Sequence, residues 1–136
     1  MADWLMTRKA EGVAPHEIGV FVRSGVQLDR ARKAVEFAGL ALKVLDDNAD
    51  TTVGRVSIGA MHLAKGLEFK CVAVMACDDD VIPLQQRIES VVDDSDLEEV
   101  YNTERHLLYV ACTRARDRLL VTAVNPASEF LDDLAG

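Results

Sequence analysis

The chain has 136 residues, enough for one domain that buries about two-thirds of its unfolded surface without disulfides or metals. Hydrophobic residues make up 49% and aromatic residues 5%, a balance typical of an aliphatic α/β core and not of a base-stacking surface. The net charge of −8 excludes long-range attraction of polyanions, so any nucleic-acid contact must be local. Three cysteines without a CxxC pair, and no basic region followed by an apolar run at the N-terminus, predict a cytoplasmic, reduced protein.

The first third of the chain predicts a strand, a helix and a second strand after a weakly helical lead-in, residues 1–17. The apolar run Ile18–Val22 is typical of a strand. The next segment, Val26–Ala38, carries apolar residues at spacings of three, four and three, and Gly39 follows it, as in an amphipathic helix with a glycine stop. Leu40–Leu45 is the second strand. This order begins a parallel βαβ unit and indicates an α/β domain with a mainly parallel sheet and helices on both faces.

Three further strands and a terminal helix are predicted downstream. The segment Arg55–Ala60 is a strand, and Lys70–Cys77 is apolar almost throughout, as a central strand covered on both faces would be. The last strand is Arg118–Ala123. A helix over Pro126–Leu134 follows, because proline is common in a first helical turn.

A long helix with an arginine cluster at its end is predicted over Thr103–Arg118, after an acidic segment, Glu89–Glu99, that we interpret as a solvated loop. Leu107, Val110 and Ala111 fall at helical spacing and Arg114 continues the same stripe, so burial of the stripe would aim Arg114 along the edge of the core. The simpler interpretation is a basic last turn that complements the helix dipole.

Two stretches, GAMHLAKGLEFKCVAV and ERHLLYVACTRARDRLLV, with IGVFVRS upstream, closely resemble the C-terminal motifs V, VI and IV of superfamily 1 DNA helicases of the UvrD/Rep/PcrA type. The resemblance covers about residues 18–124 in the family's order. It implies a three-layer α/β/α RecA-like domain, related to P-loop NTPases, over residues 18–136. It also implies a function as the C-terminal motor lobe of an ATP-dependent DNA helicase or translocase.

The chain departs from a complete helicase in two respects. No GxxxxGK phosphate loop is present, since Lys65 precedes Gly66, so ATP and Mg²⁺ would be bound mainly by the N-terminal RecA-like lobe of the same parent protein. We therefore expect the isolated chain to be inactive. Family members often insert a large accessory domain between motifs IV and V, whereas nine residues join Leu45 to Arg55 here.

The resemblance implies that Arg23 and Arg114 are arginine fingers, which are planar cations that stabilise the transferring γ-phosphate. Both follow predicted elements whose ends line the ligand crevice of an open α/β sheet, so we expect both to face one cleft. The alternative is a pair of surface arginines.

Motif V supplies the other candidate site residues. Glu68 matches a family carboxylate that contacts the nucleotide sugar, and Gly66 would allow close backbone approach there. His62 matches a family position on the path of single-stranded DNA. Single-stranded DNA is therefore an expected partner, in addition to the N-terminal lobe. Lys65 is either a phosphate contact or a partner of Glu68. The alternatives are that His62 is a structural histidine and that Glu68 forms a surface ion pair. No metal ligands and no membrane contacts are predicted.

Three other functions compete with a motor lobe. A degenerate lobe could bind nucleotide or nucleic acid without turnover. Glu68-Phe69-Lys70 with Asp78–Asp80 resembles the ExK half of a metal-dependent nuclease, but the aspartates follow the lysine instead of preceding it. A receiver-type signalling domain would place carboxylates near the first strand, where this chain has Arg23.

Overall fold

The computed structural model describes residues 2–23, 27–46, 50–75 and 92–122. Among these residues, five strands form one sheet in which every neighbouring pair is parallel. In chain order the strands are β1 (Ile18–Val22), β2 (Leu42–Val44), β3 (Val56–Ala60), β4 (Phe69–Val74) and β5 (Ala115–Val121). Across the sheet their order is β2-β3-β1-β4-β5. The predicted α/β domain with a parallel sheet is confirmed.

Helices cover both faces of the sheet. In the described part of the chain they are α1 (Ala2–Ala10), α2 (Leu28–Phe37) and α3 (Asp94–Thr113), and short 3-10 helices occupy Pro15–Glu17 and Met61–Leu63. One core lies under α1 and α2 and contains Leu5, Val20 and Val35. The other lies under α3 and contains Phe21, Val72 and Leu108. The domain therefore has the expected three-layer α/β/α architecture.

Strand β1 occupies the middle of the sheet, and β4, which lies in the segment predicted as a central strand covered on both faces, is the interior strand next to it. Both strands are buried on both faces, apart from the half-buried Lys70 of β4. Gly19 in β1 lets the two strands pack, because a Cβ there would lie 2.8 Å from the Phe69 ring. That ring meets Phe21 edge to face at a centroid distance of 5.8 Å.

The lead-in forms a full helix, α1, that packs on the sheet. Leu5 is fully buried in the core that also holds Val20. Trp4 is half-buried, and the Arg8 guanidinium lies 5.3 Å from its ring centroid, within cation–π range. The lead-in thus contributes apolar surface to the core.

The boundaries of α3 differ from the prediction at both ends. The helix begins at Asp94 inside the segment predicted as a solvated loop, and Asp93 caps it by accepting a 2.9 Å bond from the Asp96 N–H. Carboxylates favour a helix N-terminus, so this acidic run is a start signal. The helix ends at Thr113, and β5 starts at Ala115 instead of the predicted Arg118. The predicted basic last turn is therefore absent.

Two predicted segments cannot be compared with the structure. The terminal helix over Pro126–Leu134 and the acidic strand end at Asp78–Asp80 both lie outside the described residues. Within the described ranges, no helix combines the length and apolarity needed to cross a bilayer.

Candidate functional site

The buried stripe of α3 is formed by Glu104, Leu108, Ala111 and Cys112. The sequence predicted Leu107, Val110 and Ala111. Ala111 is buried as predicted, whereas Leu107 and Val110 are only half-buried. The error is one residue of phase, because a run of apolar residues at 107–112 fits two adjacent helix faces. The observed stripe extends back to a carboxylate, which hydrophobic periodicity does not detect.

Glu104 forms a buried ion pair with Arg23. The Arg23 Nε donates to Glu104 Oε2 at 2.6 Å, and its second terminal nitrogen donates to Oε1 at 3.1 Å. Glu104 is completely buried and Arg23 is 9% exposed. This bidentate geometry ties the carboxyl end of β1 to the middle of α3. The sequence analysis did not identify Glu104. Two signals were available: its spacing of four residues from Leu108, and a charged residue, Arg23, directly after β1.

Arg114 lies at the amino edge of the sheet, between the end of α3 and the start of β5. Its carbonyl accepts a 2.9 Å bond from the Phe69 N–H, so the backbone is held where β4 begins. Its guanidinium donates to Thr113 Oγ1 at 3.2 Å and to the Leu67 carbonyl at 3.5 Å. The Nε is buried and has no hydrogen-bond partner among the described residues. The side chain is half-buried, so it retains donors that a ligand could use.

The two arginines do not share a cleft. Arg23 follows the last residue of β1, at the carboxyl edge, whereas Arg114 precedes the first residue of β5, at the amino edge, and all strands run the same way. Along α3, Glu104 and Arg114 are ten residues apart, or about 15 Å. The expectation of one shared cleft is wrong, because a helix that connects parallel strands returns the chain to the amino edge.

The connection between β3 and β4, residues 61–68, carries the other candidate residues. Met61 and Ala64 are buried in the core under α3. His62, Lys65 and Glu68 alternate with them at intervals of three and are exposed. His62 follows the carboxyl end of β3, and Glu68 immediately precedes β4 at the amino edge. The segment therefore crosses from one edge of the sheet to the other.

Gly66 bends this connection with a φ of +83°, a conformation that side chains rarely adopt. Nothing lies within 4 Å of a Cβ placed there, so the backbone is open to close approach. Gly66 and Glu68 flank Leu67, whose carbonyl meets the Arg114 guanidinium. The structure thus brings Gly66, Glu68 and Arg114 together and leaves Arg23 and His62 at the opposite edge.

A groove of about 440 Å³ opens beside Glu68 at the amino edge. Its lining includes His16 and Glu17, which precede β1, and Arg116 on β5. This volume is within the range of small-ligand pockets. His16 and Arg116 were not identified from the sequence, since single polar residues beside a strand start carry no motif.

The two buried thiols contribute no reactive group to this edge. Burial raises the pKa of Cys112 to about 11, and it raises the pKa of Cys71 despite the nearby Arg8 and Lys70 charges. Both cysteines are therefore protonated at neutral pH and poor nucleophiles. The described segments contain no group of three His, Cys, Asp or Glu side chains that could hold a metal ion.

Comparisons with known proteins identify relatives of this chain. The ATP-dependent DNA helicase PcrA of Staphylococcus epidermidis is 43% identical over 76 residues, which cover 56% of this chain and 10% of that protein. The ATP-dependent DNA helicase UvrD1 of Mycobacterium bovis is 32% identical over 100 residues, covering 65% of this chain and 12% of that protein. The chain therefore spans about a tenth of the length of the curated relatives that it matches.

A solved structure and a family model complete the comparison. The C-terminal domain of a possible DNA helicase from Lactobacillus plantarum WCFS1 matches with a TM-score of 0.65 and 25% identity, covering 95% of this chain and 67% of that one. The family model described as the UvrD-like helicase C-terminal domain matches residues 27–126, which include β2 to β5 and α3. The parallel sheet, motif V on the β3–β4 connection and motif VI on α3 are thus those of a UvrD-like helicase C-terminal domain, the family to which this chain belongs.

Proposed function

We propose that this domain is the second lobe of an ATP-driven DNA motor, and that it supplies an arginine finger to ATP bound on a partner lobe. The observation that carries the proposal is Arg114: a half-buried guanidinium at the amino edge, next to Gly66 and Glu68, with a buried Nε that no described residue satisfies. A planar, permanently charged donor in this position suits a γ-phosphate. The helicases PcrA and UvrD1 are the relatives that suggest the reaction.

In this proposal the chemistry of Arg114 is electrostatic. A donor fixed in place before the reaction stabilises the charge that redistributes on the transferring phosphoryl oxygens. Interactions that strengthen in the transition state raise turnover more than they raise affinity. Bound Mg²⁺ would neutralise charge on the β- and γ-phosphates, and we assign its ligands to the partner lobe.

The nucleotide-facing surface of this lobe would also include Gly66 and Glu68. Backbone approach is unobstructed at Gly66, and the Glu68 carboxylate is exposed beside a groove of about 440 Å³. A carboxylate can accept hydrogen bonds from ribose hydroxyls. We therefore assign the sugar contact to Glu68 and the close backbone contact to Gly66.

Single-stranded DNA would contact the opposite end of the same connection. His62 and Lys65 are both exposed on residues 61–68, and His62 lies next to the carboxyl end of β3. An imidazole can stack on a base or bond a phosphate, and an ammonium can bond a phosphate. Because these residues and Glu68 share one short segment, closure of the nucleotide cleft would move the DNA contacts with the lobe.

Arg23 is not a phosphate ligand in this proposal, although its motif led us to expect one. Its Nε and one terminal nitrogen are engaged by Glu104, and it stands at the other edge of the sheet from Arg114. Contact with the same γ-phosphate would require breaking a buried ion pair, which is strongly unfavourable.

The test is Arg114→Ala in the chain combined with its ATP-binding partner lobe, supplied by the same polypeptide or separately. We expect kcat for DNA-stimulated ATP hydrolysis to fall by about 10³-fold, at the lower end of arginine-finger effects, while KM for ATP changes less than about tenfold. Arg114→Lys should restore little, since an ammonium cannot reproduce the planar fork. The chain without that lobe should hydrolyse no ATP above background.

Arg118→Ala is the matched control. Arg118 is exposed on β5, the strand that follows Arg114, and among the described residues its ion pair is a 3.7 Å surface contact with Glu11, so its loss should change neither turnover nor stability noticeably. Unchanged kcat in a folded Arg114→Ala protein would reject the arginine finger. Absence of any ATPase activity in the combined wild-type protein would instead favour a degenerate lobe that binds without turnover.

A further inference from the structure

The Arg23–Glu104 ion pair is placed where apolar side chains would be expected. Glu104 is on the buried stripe of α3 together with Leu108, Ala111 and Cys112, and no part of it is exposed. Removing two charges from water is expensive, and apolar residues of similar volume often give equal or greater stability. A buried pair of this kind is therefore better explained by the geometry that it enforces than by the stability that it adds.

The ion pair is also the first fully buried attachment of α3. Between Asp94 and Thr103 no residue of the helix is fully buried, and Tyr101 is only partly buried against the core. The first completely buried position is Glu104. The fully buried apolar attachment beyond it is one leucine and two small residues, with Leu107 half-buried at its margin, and apolar contact lacks the directionality of a hydrogen bond. A bidentate pair fixes both rotation and axial position.

The guanidinium of Arg114 is tied to the same helix. One terminal nitrogen donates to Thr113 Oγ1 at 3.2 Å, and that hydroxyl donates in turn to the Val110 carbonyl at 3.0 Å. Its contact with the sheet side, at the Leu67 carbonyl, is longer at 3.5 Å. The orientation of the Arg114 side chain is therefore set by the last turn of α3. The Phe69 N–H bonds the backbone carbonyl of Arg114 and does not orient its side chain.

We propose that Arg23 and Glu104 are positioning residues for Arg114: their buried ion pair fixes the orientation of α3, and α3 sets where the guanidinium points. The two sites are at opposite edges of the sheet, about 15 Å apart along the helix. This role rests on the proposed function of Arg114. It gives motif IV a part in catalysis that involves no contact with nucleotide.

The test replaces the ion pair by apolar residues, Arg23→Met with Glu104→Leu, in the chain combined with its ATP-binding lobe. We expect a melting temperature within about 5 °C of wild type, because no unpaired charge remains. We expect kcat to fall by about 10²-fold, since small displacements of a catalytic group have effects of this size, with KM for ATP within about threefold. Wild-type kcat in this folded variant would overturn the proposal.

Two further variants separate orientation from stability. Leu108→Ala loosens the same helix and keeps the ion pair, so below its melting temperature it should retain kcat within about twofold. Arg23→Lys keeps the charge and loses the two-pronged geometry, so a folded Arg23→Lys protein should lose at least about fivefold in kcat. Wild-type turnover in Arg23→Lys would also contradict the positioning role. If the double variant Arg23→Met, Glu104→Leu does not fold, Arg23→Lys provides the test in its place.

Hydrogen exchange on the 136-residue chain tests the anchoring step without any assay of turnover. In the apolar-pair variant, amides of residues 97–103 should exchange faster than in wild type, while those of residues 108–113 stay protected. Unchanged protection over residues 97–103 would show that the pair does not anchor the helix. If Arg114→Ala keeps wild-type turnover, the proposed function itself has failed. If Arg114→Ala is inactive and the apolar-pair variant is fully active, only the positioning role is lost.

Discussion

Leu108→Ala should destabilise the domain much more than the same change at the adjacent Leu107. Leu108 is 2% exposed within the core under α3, whereas Leu107 is half-buried at its margin. Truncation of a buried leucine removes three methylene-sized groups at about 0.8 kcal/mol each, or about 2.4 kcal/mol. The cavity left behind raises the total to about 2–5 kcal/mol. At Leu107 the transfer contribution is about half and the space opens to solvent, which leaves about 1 kcal/mol.

Urea unfolding of the two variants measures this difference. Far-UV circular dichroism and the fluorescence of Trp4, the one tryptophan of the chain, should give coincident transitions if unfolding is two-state. If the m-values are unchanged, the free energies of unfolding of the two variants should differ by at least about 1.5 kcal/mol, seen as a lower urea midpoint for Leu108→Ala. The melting temperatures should differ by about 5–10 °C.

An equal or larger loss at Leu107 would refute the helix phase described here. A helix turned by one residue would move Glu104 out of the core and would redirect Arg114. The measurement therefore tests, through stability alone, the geometry on which the assignment of the arginine finger depends.

Three other measurements examine separate features. Gly19→Ala should cost about 1–3 kcal/mol, because its Cβ would meet the Phe69 ring at 2.8 Å, and a stability equal to wild type in urea would show that the ring can move away. Because burial raises the pKa of the Cys112 thiol from 9.0 to about 11, the folded state keeps a proton that the unfolded state has lost, so stability should fall by about 2 kcal/mol as pH rises from about 9 to 11. Cys112→Ala should flatten that part of the pH profile, and an unchanged profile would exclude this thiol as its source. The chain alone, with its net charge of −8, should bind single-stranded DNA no tighter than about 10⁻⁴–10⁻⁶ M by fluorescence anisotropy at physiological salt, and nanomolar affinity would reveal an overlooked basic surface.

The strand–helix–strand order of this domain could be predicted because its apolar runs are short, regular and separated by turn residues. The predicted strand Ile18–Val22 agrees with β1, and Gly39 has a φ of +76° just beyond α2. The order of the two interior strands, β1 and β4, could not be predicted, because both are apolar enough to be covered on both faces. The start of α3 was missed because an acidic run reads as solvated surface, whereas at a helix N-terminus the same charges favour the helix.

The sequence supplies candidates for the site, but it does not show how they are arranged. Motif V and motif VI identified Glu68 and Arg114, which the structure places at one edge. Arg23 was assigned to the same cleft because the return of the chain to the amino edge, which a parallel sheet requires of its connecting helices, was not applied to the helix before the last strand. Its partner, Glu104, has no sequence signature beyond its helical spacing, since a buried carboxylate and an exposed one look alike in a sequence. Only three-dimensional contact shows that the pair is buried.

The connection between β3 and β4 has little spare length. Ala60 lies level with the residue after Val74, six residues beyond Phe69, so residues 61–68 must cover about 20 Å along the strands. They must also pass two strand spacings sideways over β1, about 10 Å, which makes the direct path about 22 Å. A short 3-10 helix, the hydrogen-bonded turn from Ala64 to Leu67 and the extended residues on either side reach about 23 Å.

Deletion of one residue from this segment would therefore open the turn from Ala64 to Leu67 or pull Met61 and Ala64 away from the core. Insertions face no such limit at the exposed turn around Gly54, before β3. Length variation among homologous domains should accordingly concentrate between β2 and β3, while the interval from His62 to Glu68 stays constant. The constant length of that interval then fixes the distance between His62 at one edge of the sheet and Glu68 at the other, whatever the length of the surrounding loops.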